Sequence, residues 1–554
     1  MCKKTLRYSP EAERGSILPL PLMFYRHASK GIATLALVGT LFAVEVSPAP
    51  AQDSNGSPQT PHTPALTVNA RLVVLDVVVT DKNGKPVDGL TAKDFQVFED
   101  NQPQRIRSFE SPSAHGLPAE AVASGMATVF DPANPATFGQ SPVTILVLDQ
   151  LNTHFADSSF ARRSLHDYLA KQPALLSQPT TLLAVYDNHF KLQQAFTRDR
   201  DALLKALAKT PTENAWKLEV NGSTEYGPLE RLDQSLRALE QIAQSNARIP
   251  GRKNLIWVGG GFPTPDPTSI DGDDAQEVKD TLQHITDVLL DTRVTLYAVD
   301  PSSSAAGLTE ITDISQAAFV SAAGDGFGGG VDPFNATEDF DRLGPVTGGR
   351  VIRGMNNISQ QIAMDVDLSA KFYTIGYSPS SSSTSSAQYR KIRVVCVRPG
   401  LTVATRDGYY PARTTQEKSA DTTAYDLTTA AESTIPLNGL HITVEQNHSI
   451  ASAPESYIVH VGAAGLTWKP KDDGGSTASV AVMAVSLNAK NKMIAHVLHG
   501  MTATARSGAN LRDETKTANF EFEVQPAAKA TTLRFIVRDA ATGRMGSVDL
   551  PLTK

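Results

Sequence analysis

The chain has 554 residues, room for roughly three or four domains at the usual ~100–200 residues each. Hydrophobic residues make up 41% and charged residues 20%, which excludes a wholly disordered chain and a bundle of membrane helices. A formal net charge of −7 leaves no basic excess to neutralise phosphates, so nucleic acid is not an expected partner, and 2 cysteines exclude a disulfide framework and cysteine-based zinc sites.

Arg26, His27 and Lys30 precede an apolar run from Gly31 to Val44, shorter than the ~20 residues a membrane span needs. Ala49-Pro50-Ala51 then supplies a small-residue cleavage site before Gln52. Residues 1–51 are therefore expected to be a signal peptide, with Met23 an alternative start; the competing reading is an uncleaved anchor. With cleavage, no transmembrane segment is expected to remain, and the protein is expected in the periplasm, the cell envelope or the medium.

Residues 52–65 have linker composition. Residues 66–112 read as a small β module: Leu66–Val79 is apolar and β-branched, Asp81-Lys82-Asn83-Gly84 is a turn, and Asp94–Asp100 alternates like a half-buried strand. Residues 113–141 form an Ala/Pro/Gly/Ser-rich connector. The pattern changes at Val143–Leu148, a continuous apolar run ending in Asp149, as a parallel strand buried on both faces requires. A helix through Phe160, Leu165 and Leu169 follows. Then come a strand at Thr181–Tyr186 with a return strand at Lys191–Phe196, and a helix at Asp201–Ala208. Leu229, Leu232, Leu236, Leu239 and Ile242 trace an amphipathic helix. Asn254–Val258 is a strand closed by Gly259-Gly260-Gly261. A helix through Val278, Leu282, Ile285 and Leu289 leads to the strand Val294–Val299, a short strand after Gly348-Gly349, a helix at Ile358–Leu368, and a strand at Phe372–Tyr377. Strands alternating with helices over residues 142–380 predict a doubly wound α/β sheet, whose ligands bind at the carboxyl ends of the strands; Asp149, Gly259–Gly261 and Asp300 lie at such ends. A β-hairpin extension is predicted over 381–412, a linker over 413–434, and a β-sandwich over 435–554.

The middle of the chain resembles a von Willebrand factor type A (vWA) domain, and more narrowly the divergent vWA-related family described from acidobacteria. The stretches that carry the resemblance are Val73–Asp81 with Asp94-Phe95, Ile145–Asp149, Gly251-Arg252-Lys253-Asn254-Leu255-Ile256-Trp257, Gly260-Gly261-Phe262-Pro263, Leu296–Asp300, Thr347-Gly348-Gly349-Arg350, Phe372–Ser378 and Arg406–Tyr410. The resemblance implies a Rossmann-like fold and a divalent cation, Mg²⁺ or another, held by a D-x-S-x-S motif plus a Thr and an Asp from later loops. Hard oxygen ligands around a hard cation would leave one position open for a partner's carboxylate. Asp149 matches the first ligand and Thr153 the third, with Thr224 as the loop Thr. Leu151 stands where the second oxygen donor belongs, and Gly259–Gly261 where the loop carboxylate belongs. The adhesion site is thus degenerate, and no cofactor is expected. The other reading of Asp149 is a carboxylate capping the following helix or bonding loop amides.

Asp271, Asp273 and Asp274 read as acidic residues favouring a helix N-terminus rather than a calcium loop, and Gly324–Gly330 as a surface loop rather than a phosphate loop. No nucleophile elbow, H-E-x-x-H or Walker motif occurs. The expected function is a non-enzymatic, exported binding protein of adhesion type. Its vWA edge would meet another protein through Leu151, Asn152, Phe155 and Phe262. The alternatives are a hydrolase built on Asp149 with His154 or His189, and a structural envelope component.

Overall fold

The computed structural model describes residues 72–153, 155–186, 189–212, 228–262, 272–301, 343–353, 357–379, 389–410, 420–447 and 455–552. The expected signal peptide and first linker, Thr224, His154, Asp271 and the 324–330 loop lie outside these residues.

The described chain opens with β1 (Val73–Thr80), β2 (Phe95–Glu99), β3 (Gln102–Gln104) and β4 (Ile106–Glu110). The next strands are β5 (Val143–Asp149), β6 (Leu175–Val185), β7 (Phe190–Asp199), β8 (Lys253–Val258), β9 (Val294–Val299) and β10 (Arg350–Ile352). They form one sheet in the order β10-β9-β8-β5-β6-β7. The pairs β5–β6, β5–β8, β8–β9 and β9–β10 are parallel, and β7 closes the far edge antiparallel to β6. Numbered within this sheet, the order reads 3-2-1-4-5-6, that of a doubly wound fold. Every residue of β5, β8 and β9 is buried, which is why apolar side chains dominate these strands, with Lys253 and Asn254 at the start of β8 as buried polar exceptions.

Helices cover both faces. On one, α3 (Pro228–Ser245) and α4 (Gly272–Asp291) press Leu232, Leu236, Leu239, Ile242, Leu282, Ile285 and Leu289 against Ile145, Val147, Leu255 and Trp257. On the other, α1 (Phe155–Ala170), α2 (Arg200–Lys209) and α5 (Ile358–Ser369) cover Leu146, Leu148, Ile256 and Val258 with Leu165, Leu169, Leu203, Leu207 and Ile362. Each such side chain stabilises the fold by roughly 1.5–3 kcal/mol. This is a mixed α/β architecture compatible with a Rossmann-like vWA core.

The last strand expected in this sheet lies elsewhere. β11 (Tyr373–Tyr377) is inserted between β1 and β4, antiparallel to both. β12 (Arg390–Cys396) and β13 (Thr402–Ala404) were expected to form a hairpin, but β12 pairs with β2 and with β14 (Gly408–Tyr409), and β13 pairs with β1. The turn at Arg398-Pro399-Gly400 instead carries the chain from one sheet to the other, with Gly400 at φ 76°. Residues 66–112 therefore do not make a β module by themselves. Two four-stranded sheets, each mixing strands from before and after the α/β unit, enclose Leu75, Val77, Phe95, Val97, Tyr373, Ile375, Tyr377 and Ile392. Arg293, just before β9, joins this region to the α/β sheet: it donates to Asp76 at 2.5 Å and to the Pro250 carbonyl at 2.9 Å. Burial alone would raise the Asp76 carboxyl, and the Arg293 and Arg252 guanidiniums, with His115, together outweigh it, holding Asp76 below its ordinary value.

The stretch 413–434, expected as a linker, contains α6 (Ala420–Glu432). Beyond it, β15 (Ile442–Gln446), β16 (Glu455–Gly462) and β20 (Thr517–Val524) form one antiparallel sheet. β17 (Lys469–Pro470), β18 (Ser476–Leu487), β21 (Thr532–Asp539) and β22 (Met545–Pro551) form another, with β19 (Met493–Ala505) also on β18. Val459, Val461, Val480, Val482, Phe520, Phe522, Phe535 and Val537 fill the space they share. On the second sheet's other face, α6 lays Leu427, Ala430 and Ala431 over Met483, Val485, Leu487, Ile536 and Met545.

Candidate functional site

In a sheet of this order the crevice opens where the strand order reverses, between the carboxyl ends of β5 and β8. Asp149 ends β5 there and is fully buried. Its Oδ1 accepts from the Leu151 amide at 2.9 Å and the Asn152 amide at 3.0 Å, folding the loop back as an Asx turn. Its Oδ2 accepts from the Trp257 indole on β8 at 3.0 Å and from the Asn152 side-chain amide at 3.4 Å. Asn152 also donates to Ser235 of α3 at 2.9 Å. Thr153 donates to the Asp149 carbonyl and accepts from the Gly260 amide at 2.9 Å. One carboxylate thus ties the loop after β5 to β8, and its neighbours extend the tie to α3 and the glycine loop.

The glycines are required by close approach. A Cβ on Gly259 would sit 2.3 Å from the Asp149 Cβ, and one on Gly260 would sit 2.0 Å from the Asn152 carbonyl oxygen. Gly261 adopts φ 77°, in the left-handed region.

Burial pushes the Asp149 carboxyl up to about 6, against the opposing pull of its N–H donors. Arg231, on α3, lies close enough to feel that charge, and its own burial lowers it. Sequence reasoning missed Arg231 and Ser235: their spacing along α3 gives no sign that they face the loop after β5.

The predicted site residues separate. Asp149 and Thr153 come together, each occupied by hydrogen bonds within the chain. Leu151 and Phe262, expected as apolar contact residues, are both buried, Leu151 in the core above β5 and Phe262 against Trp257 with ring centroids 5.3 Å apart. Nonpolar side chains at this edge are drawn into the core beside them, which removes both from the surface. Asn152 remains partly exposed, and Phe155 begins α1. Around the edge Gly260, His189 and Arg353 are exposed, and Arg353 lies 3.6 Å from Asp300. His189 stacks on Tyr186, with centroids 4.8 Å apart.

Two further features lie away from this edge. A cleft of about 590 Å³ is lined by Asp88, Ser111, His115, Ser141, Gln178 and Lys371. It sits at the opposite end of the sheet, where the chain enters β5, and shares no residue with the Asp149 network. The second feature is a buried group of ionisable side chains from three helices: Glu240 of α3, His284 of α4 and Asp426 of α6. His284 Nε2 lies 2.6 Å from Asp426 Oδ1 and 3.7 Å from Glu240 Oε1. Arg538 of β21 donates to the other Asp426 oxygen at 2.6 Å. Burial raises Glu240, and the neighbouring Asp426 charge raises it further.

No family model matches the sequence, and no curated protein matches it. Among solved structures, the VWA domain of SpRpn10 is similar at 13% identity, covering 29% of this chain and 89% of that chain with a TM-score of 0.16.

Proposed function

We propose that this chain is an exported, non-enzymatic binding protein that meets another protein at the carboxyl edge of its vWA-like sheet, through direct contacts and not through a shared cation. The carrying observation is the occupancy of Asp149. Both its oxygens already accept N–H donors from Leu151, Asn152 and Trp257. A divalent cation would have to displace these donors, and Leu151 offers it no oxygen. Mg²⁺ gives up hydration only for good octahedral replacements, which this loop lacks. On this reading the degenerate adhesion site built on Asp149 and Thr153 has become a fixed platform. Asn152, Gly260, His189 and the Arg353–Asp300 pair are its contact surface.

A protein partner is favoured by exposed apolar side chains as well. Val122, Met126 and Val129 are exposed in the connector before β5, which touches the outer strand β7, where Leu192 is exposed too. Export rests on the charged segment, apolar run and cleavage site at the N-terminus. No helix among the described residues is long and apolar enough to cross a membrane.

The test is cross-linked capture from envelope extract of the native host, comparing wild type with Arg353→Glu and Asn152→Arg. The reading expects one dominant partner, lost in both edge variants and unchanged by excess Mg²⁺. Capture that requires Mg²⁺, or that ignores both substitutions, contradicts it.

A further inference from the structure

We infer that Glu240, His284 and Asp426 form a binding site for a divalent transition-metal ion, of the Zn²⁺ or Mn²⁺ class, which fastens α3 and α4 of the central sheet to α6 of the C-terminal region. The inference does not depend on the partner-binding reading above.

The three side chains each offer one ligand atom, and these atoms all lie within 4.8 Å of one another. Bonds of ~2.0–2.2 Å to one tetrahedral ion place ligand atoms roughly 3.3 Å apart, so small side-chain rotations bring this set to coordination distance. The second, independent observation is Glu240. It is completely buried, faces His284 Nε2, and neither of its carboxylate oxygens makes a hydrogen bond. A buried carboxylate whose nearest cationic group is an imidazole beyond hydrogen-bond distance is costly, and such a group is ordinarily hydrogen-bonded or metal-bound. Two other fully buried ionisable side chains follow that rule: Asp149 accepts four N–H bonds, and the Lys253 ammonium is held by the carbonyls of Ile249, Gly251 and Thr292.

A protonated imidazole does not serve Glu240 equally well. The nitrogen facing the two carboxylates is a single atom, Nε2. It lies 2.6 Å from Asp426 but 3.7 Å from Glu240, beyond hydrogen-bond reach. A cation between the three satisfies Glu240, Asp426 and the imidazole lone pair together. Charge agrees: Arg538 balances one carboxylate, and a divalent ion more than balances the other. Arg538 also orients Asp426 through the oxygen that would not bind the ion, as an outer-shell partner does. One imidazole with two carboxylates and no sulfur suits Zn²⁺ or Mn²⁺ over Cu⁺, and the nitrogen ligand disfavours Ca²⁺ and Mg²⁺.

The experiment uses the full-length chain. Metal content is measured by mass spectrometry after purification without chelator; the protein is then stripped and titrated with Co²⁺. The expected result is about one ion per chain and visible Co²⁺ ligand-field bands. Both are lost in His284→Gln and retained in Asp149→Asn, which lies at the sheet edge. A wild-type chain that neither carries nor takes up Zn²⁺, Mn²⁺ or Co²⁺ overturns the site, as does a His284→Gln chain that keeps the ion. Should His284→Gln fail to fold, wild-type melting decides. Zn²⁺ is expected to raise the melting temperature of stripped protein by several degrees. A melting temperature that ignores metal but falls as pH rises through the imidazole range would identify protonated His284 as the bridge and overturn the inference.

Discussion

The Trp257 indole N–H points across the reversal of strand order and donates to the Asp149 carboxylate at 3.0 Å, joining β8 to β5 where a doubly wound sheet opens its crevice. Trp257 is fully buried and also packs on Phe262, so one side chain links the carboxylate, the glycine loop and the core. Trp257→Phe keeps most of the ring and deletes the donor. Leaving a buried acceptor short of a partner is expected to destabilise the fold by ~1–3 kcal/mol. Urea denaturation checks this, and a neutral substitution would mean that the indole bond adds nothing.

The pH dependence of stability has a defined sign. Asp149 titrates from 3.8 when unfolded to about 6 when folded, because burial disfavours the anion. Between those values the folded state holds more protons, so its stability is greatest below the lower value and falls as pH rises through the upper one. Asp365 is pushed up to about 6 for the same reason, despite its ion pair with Arg350 at 2.6 Å, and adds to the same trend. The Asp149 contribution is about 3 kcal/mol across that window. Denaturation at pH 4 and pH 7 should show Asp149→Asn losing less stability on going up than wild type does. Identical slopes in the two proteins would remove Asp149 from the balance.

Gly260→Ala tests the close approach at the edge. Its Cβ would lie 2.0 Å from the Asn152 backbone oxygen, which cannot turn away as a flexible side chain could. The expected cost is ~1–3 kcal/mol, as for overpacking elsewhere. The same shift should weaken partner capture, because Asn152 and Gly260 share the proposed contact surface. A variant as stable as wild type would show that the loop yields more readily than its packing implies.

The C-terminal boundary yields a fragment experiment. A fragment of residues 420–554 keeps α6 over Met483, Val485, Ile536 and Met545, whereas one of residues 435–554 uncovers them. The longer fragment should therefore stay soluble with a cooperative melting transition, and the shorter one should aggregate or bind a hydrophobic dye. Equal behaviour of the two would mean that α6 contributes little to this core.

These outcomes also mark how far the sequence could be read. β5, β8 and β9 were legible because a strand buried on both faces is mostly apolar, and the helix periodicities placed Leu232, Leu236, Leu282 and Ile285 in the core. β11 was legible as a strand but not as a member of the other sheet, because Tyr373–Tyr377 is equally apolar whichever neighbours it takes. α6 was hidden by composition: its buried face is built from Leu427, Ala430 and Ala431 within a run of Thr, Ala and Asp that reads as linker. At the edge, Asp149 stood out by its position after an apolar run, but its donors are backbone amides and an indole from a distant strand. The Glu240, His284 and Asp426 group draws one residue from each of three helices, with no local spacing to reveal it. Its only trace was an acidic residue next to Leu239 on the buried side of α3.

The most direct measurement of the central claim is an anomalous difference map from crystals grown with excess Mn²⁺, which substitutes for Mg²⁺ at oxygen-rich sites. The account predicts no peak at coordination distance from Asp149 or Thr153, with the Trp257–Asp149 bond intact. A peak coordinated by Asp149, with the indole displaced, would contradict it and restore a working adhesion site at the end of β5.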